Sequence, residues 1–200
     1  MDTVCVLTGD LIDSQGGQTA LYLEAINSIL EELKNKQKIL RSDLYRGDEF
    51  QITTLPEEGL LCALYIRASL RAQNAKWDAK ISIAFGEEKE SDGAYGAAYL
   101  HSGRNLDSLS ANTRMQIMVE EQKFSVLAQT MDYIISGWSQ TTARAVRARL
   151  YAKTAKEAAE QLQISPANVS RALKRGGYEV LLGLAKFIYE AGGLDEHSQS

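Results

Sequence analysis

Apolar and polar positions along the chain change period several times, and each change marks an element. Residues 3–8 (TVCVLT) form an apolar, β-branched run that reads as a strand, with Gly9-Asp10 as the turn that ends it. From Ala20 to Lys36 the apolar residues Leu23, Ile26, Ile29, Leu30 and Leu33 recur at helical spacing, opposite a charged face. Ile39 to Tyr45 and Glu49 to Thr54 flank Arg46-Gly47-Asp48, where Gly-Asp is a tight-turn signal, so the pair predicts a β-hairpin. Pro56-Glu57-Glu58 opens a second helix, with acidic residues in its first turn and Leu60, Leu61, Leu64 and Ala68 inward. Lys80 to Gly86 alternates as a strand, Ala94 to Leu109 reads as a helix rich in small residues, and Thr113 to Val119 as another strand. This βαββαβ order predicts an α/β (α+β) sandwich with a mixed sheet.

After Glu120 the period is helical, which sets a boundary near residue 120. Residues 1–120 form an α/β domain, residues 121–192 a connecting helix (Lys123 to Trp138) with an all-α module, and residues 193–200 a flexible tail. In the all-α module, Ala155 to Leu162 predicts a short helix, and Ser165-Pro166 caps and opens another that Gly176-Gly177 stops. Val169, Ala172 and Leu173 then share a face that packs on Ala158, Ala159 and Leu162. Ala167, Asn168, Ser170, Arg171, Lys174 and Arg175 are left to project outward. Two short helices, a tight turn and a small residue at the crossing make a helix-turn-helix pattern whose basic face suits double-stranded DNA. The alternative is an αα-hairpin that packs on a neighbour.

The 44% apolar composition supports a packed core. A net charge of −4 conceals a division: Thr141 to Gly192 carries nine Lys/Arg against four Asp/Glu, whereas residues 1–140 carry 13 against 20. A basic module on an acidic one keeps nucleic acid among the expected partners despite the low pI. No apolar run approaches 18 residues, so no membrane span is expected, and a start that lacks a basic n-region and turns polar at Thr8 reads as a short strand of a cytoplasmic protein, not a signal peptide. Cys5 and Cys62 lie in apolar runs and read as buried, reduced thiols. His101 and His197 are too few and too far apart for a zinc site, so a metal would need oxygen ligands.

Candidate oxygen ligands follow from the strand order. Asp10 and Asp13 follow the first strand, and Asp48 and Glu49 sit at the hairpin, so neighbouring strands would bring Asp10 to Asp48. Carboxylates that close repel unless a cation such as Mg²⁺ or Mn²⁺ lies between them, held with triphosphate oxygens. The competing reading makes Asp48 a turn former and Asp10 or Asp13 a helix cap. Gly93, Gly96 and Gly103 around Arg104 would let a phosphate approach the backbone, although Arg104 serves equally as an ion-pair partner of Asp107. No P-loop or dinucleotide glycine motif is present.

Across these segments the chain resembles the SatD family of bacterial proteins: VLTGDLIDSQ, LYRGDEFQ, ISIAFGE, SDGAYGAAYLHSGRNLD, ISGWSQTTARAV and ISPANVSRALKRGGY occur in order over nearly its whole length. The N-terminal part is also similar to the palm domain of nucleotidyl cyclases and GGDEF-type diguanylate cyclases. That similarity implies a palm-like ferredoxin-type sandwich, with Asp10 as the metal-binding residue after the first strand and Asp48 with Glu49 as the second acidic site. Arg46, Gly47 and Arg104 would then border a nucleotide. Arg46 stands where the GGDEF pattern has its first glycine, and no aromatic-lysine pair follows Asp10. The expected protein is a homodimeric DNA-binding regulator of transcription whose palm-like domain senses a nucleotide or mediates self-association. A Mg²⁺-dependent nucleotidyl cyclase or nucleotidyltransferase is the alternative, and a protein-interaction scaffold a third.

Overall fold

A computed structural model describes residues 3–13, 19–45, 48–89, 95–120 and 122–194 of the 200. Its first half runs β1 (Thr3–Leu11), α1 (Thr19–Asn35), β2 (Arg41–Tyr45), β3 (Glu49–Thr54), α2 (Pro56–Gln73), β4 (Ala79–Glu87), α3 (Ala97–Asp107) and β5 (Met115–Val119). A two-residue strand, β6 (Gln122–Lys123), closes one edge of a six-stranded sheet ordered β2-β3-β1-β4-β5-β6. All neighbours are antiparallel except β4 and β5, so the sheet is mixed and the fold is α+β.

Strand β1 is central and buried on both sides, which is why its sequence is a nearly unbroken apolar run. Cys5, Leu7 and Leu11 enter the main core with Ile26, Ile29 and Leu33 of α1 and Leu60, Leu64 and Ile66 of α2. Val4 and Val6 face the other way, against Ala98 and Tyr99 of α3. The expected turn at Gly9-Asp10 does not occur: β1 continues to Leu11, pairing Gly9 with Phe50 and Asp10 with Glu49. Gly9 is there for space, since a methyl group on it would come within 2.2 Å of Phe50 Cζ.

The second half is helical: α4 (Ser125–Ser136), α5 (Gln140–Leu150), α6 (Ala155–Leu162), α7 (Pro166–Arg175) and α8 (Tyr178–Ala191). Helix α2 has the sheet on one side and α5 on the other, and it is buried almost all round. Trp138, Ala143, Val146, Tyr178, Leu181 and Ile188 belong to the same apolar cluster as β1 and α2, so packing runs without a break across residue 120. Leu194, expected in a loose tail, is 3% exposed and part of that cluster; residues 195–200 lie outside the described residues.

A buried ionic network ties the halves. Asp78, just ahead of β4, accepts from Arg67 Nε and Nη2 at 2.7 and 2.8 Å and from Arg71 and Arg114 at 3.2 and 3.1 Å. Arg71 also donates to the Ser136 and Trp138 carbonyls, each at 2.9 Å. Arg67 Nη1 lies 2.8 Å from Asp132 Oδ1 of α4, paired in charge but not aligned as a hydrogen bond.

Candidate functional site

Two surfaces gather the polar residues singled out in the sequence. On the sheet, the side chains that alternate away from the main core form cross-strand rows. One row runs Asp43, Gln51, Thr8, Ser82, Gln116 over β2, β3, β1, β4 and β5; the next runs Tyr45, Glu49, Asp10, Lys80. Helix α3 rests on part of this face, where Thr8 donates to Ser102 at 2.9 Å and Thr53 shares a 2.9 Å hydrogen bond with Tyr99. Ser82 is fully buried beneath it, and its Oγ has no partner among the described residues.

Asp10 and Glu49 face each other across β1 and β3, and the Asp48 carbonyl accepts the Leu11 N–H at 3.2 Å. The structure thus brings Asp10, Asp48 and Glu49 together. Partial burial, then the charges of Asp48 and Glu49, raise the Asp10 carboxyl above its ordinary range, against the opposing pull of Lys80 across β4. Among the described residues no three metal-ligating side chains converge in a ready-made metal site. The donor set suits Mg²⁺ or Mn²⁺ only in company with phosphate oxygens, one carboxylate from each strand and the rest from the ligand. Asp10 and Glu49 would hold such an ion, which would relieve their repulsion and polarise a phosphate.

Sequence reading missed the aromatic border of this face. The Tyr95 and Tyr99 rings tilt together 4.8 Å apart, and the Tyr45 hydroxyl is raised by burial first, then by Asp43, Tyr95 and Tyr99. Tyr45 stands beside Glu49 in the second row with Tyr95 and Tyr99 near it, a juxtaposition that needs the register of β2 on β3 and the placement of α3. Arg104 is exposed on α3 and forms no ion pair with Asp107 among the described residues. Arg46, Gly47 and Gly93, expected beside a phosphate, lie outside the described residues.

The second surface is α7. Thr154 caps α6, accepting from the Glu157 N–H at 3.1 Å, and Ser165 caps α7, accepting from the Asn168 N–H at 3.2 Å. Gln163 takes a left-handed conformation (φ 55°), which turns the chain between the two helices. Val169 packs on Ala158 and Ala159, supported by Leu162 and Leu173. Ala167, Asn168, Ser170, Arg171, Lys174 and Arg175 are all exposed, and Arg171 lies along the helix, bonded to Asn168 Oδ1 at 2.7 Å.

A comparison with protein-family models finds no match to the chain, and a comparison with curated proteins likewise finds none. Among the described residues no helix is long and apolar enough to cross a membrane.

Proposed function

We propose that this protein is a DNA-binding regulator of the SatD type, in which α6 and α7 act as a helix-turn-helix attached to a palm-like domain. The observation that carries the reading is the division of α7. Val169 and Ala172 are 0% and 1% exposed, while Ser170, Arg171, Lys174 and Arg175 are exposed and bear three cations. Such a face supplies cations for phosphates and short polar side chains for base edges. A single module of this kind binds weakly, so a homodimer reading two half-sites is part of the proposal. Selection from a random duplex pool, followed by titration of Lys174→Ala and Arg171→Ala, tests it. Lys174→Ala is expected to weaken all duplexes alike, and Arg171→Ala to change sequence preference. Retention of no duplex by the wild-type protein would overturn the assignment.

The carboxylate pairing favours a second reading, Mg²⁺- or Mn²⁺-dependent nucleotidyl transfer on the sheet face. The antiparallel order β2-β3-β1-β4 supports reading this sheet as a palm-like ferredoxin-type sandwich. Asp10 and Glu49 would hold the metal, Lys80 would meet a phosphate, and Tyr45 or Tyr95 offers a ring on which a base can stack. Incubation with each nucleoside triphosphate and Mg²⁺ or Mn²⁺ separates the readings. Turnover lost in Asp10→Asn makes the protein an enzyme; no turnover leaves this face as a sensing or self-association surface.

A further inference from the structure

A cleft of about 170 Å³ lies between α1, α2, α5 and α6, away from both the sheet face and the exposed side of α7. Glu32 enters it from α1 and Lys36 from the turn just after it, Tyr65 from α2, and Arg144 and Arg147 from α5; Tyr151 follows α5, and Gln161 and Leu162 of α6 form the far wall. Its hydrogen-bonding groups are unbalanced. Glu32 is the single carboxylate, and it is already engaged by Arg147 Nη2 at 2.7 Å and by Lys36 at 3.7 Å. Arg144 donates its Nε to the Ala72 carbonyl at 3.3 Å and pairs with no carboxylate among the described residues. Arg147 Nε is buried without an acceptor. Burial pushes both phenols far above their ordinary range, so Tyr65 and Tyr151 remain protonated. The cleft therefore holds three cations and one occupied anion.

An open cleft rich in donors and poor in acceptors is complementary to a small anion with several oxygens. We propose that this cleft binds a phosphate-bearing polyanion, with Arg144 and Arg147 as its principal ligands. The ligand would touch α1 and α5 on one side and α6 on the other, and α6 is the helix on which α7 is seated. Occupancy would thus fix the position of α7 relative to the sheet, as an effector site does.

Calorimetric titration of the full chain with inorganic pyrophosphate and with adenosine monophosphate, at constant ionic strength, tests this. Saturable binding of either is expected, and the tighter of the two shows whether the natural ligand is an inorganic or an organic phosphate. Arg144→Gln, a change at an exposed position, should weaken the Kd at least tenfold. Arg147→Lys, which keeps the charge and removes the planar two-pronged guanidinium, should weaken it as well. Lys174→Ala should leave it unchanged. The proposal is overturned if neither compound binds saturably, if Arg144→Gln binds like wild type, or if the loss follows Lys174→Ala instead.

Discussion

Arg67 and Asp78 form a two-pronged ion pair at 2.7 and 2.8 Å with both side chains sealed from solvent, at the point where α2, β4 and α4 meet. Burial alone would raise the Asp78 carboxyl. Arg67, through its charge and hydrogen bonds, and then Arg71 more than offset that and hold it below the ordinary carboxylate range.

Removing one partner strands the other, so Asp78→Asn should cost about 3–5 kcal/mol, measured by urea unfolding at neutral pH. Because the folded pKa is depressed, the contribution of Asp78 is fully present above its unfolded value, about 3.9, and is lost as pH falls through the lower folded value. Wild type should therefore lose stability on acidification below about pH 4. Asp78→Asn should show a shallower acid limb; an equally steep one would mean that other carboxylates drive acid unfolding.

Asp10 has the opposite sign. Its folded pKa is raised, so its protonated form favours folding and that advantage fades as pH rises through the folded value. Asp10→Asn should be slightly more stable than wild type at pH 7, by roughly a few tenths of a kcal/mol for a half-buried group screened by solvent, and equal to it in acid. A bound cation reverses the balance. If Asp10 holds metal with a triphosphate, Mg²⁺ plus nucleotide should raise the Tm of wild type and leave Asp10→Asn unmoved. Equal rises in both would remove Asp10 from metal binding.

Gly9→Ala should cost about 1–3 kcal/mol by overpacking. The obstructing Phe50 ring is itself fully buried, so it cannot swing aside without disturbing the core. Thermal melts of Gly9→Ala alone and combined with Phe50→Leu check the cause: the second change should recover part of the loss.

That glycine also shows where the sequence misleads. Gly-Asp after an apolar run is a turn signal by composition, and only the placement of Phe50 opposite Gly9 explains a glycine inside a strand. By contrast, the caps at Ser165 and the stop at Gly176-Gly177 act within a few residues, and the helix they bound is the one observed. Proximity of Asp10 to the hairpin was legible because β1, β2 and β3 follow each other closely in the chain. The burial of Arg67 and Arg71 was not, because charge in a sequence marks a residue as exposed until its partners, Asp78 and Asp132, are brought to it. The cleft at Arg144 was hidden for the same reason, since Glu32 and Arg147 are 115 residues apart.

Ser165→Ala separates the positioning of α7 from its charge. The Ser165 hydroxyl accepts the Asn168 N–H, and its loss should cost about 1 kcal/mol concentrated in the first turn of α7. That turn presents Ala167 and Asn168 on the exposed face that the proposed function brings to DNA. If they read DNA, Ser165→Ala should weaken specific binding about fivefold, the equivalent of that cost. No cation is removed, so the dependence of log Kd on log salt should keep its wild-type slope. Lys174→Ala should instead reduce that slope by about one phosphate contact. Fluorescence anisotropy over a range of salt concentrations measures both quantities in one titration. An unchanged affinity in Ser165→Ala, with the slope lowered in Lys174→Ala, would mean that α7 touches the backbone alone and that sequence is read elsewhere.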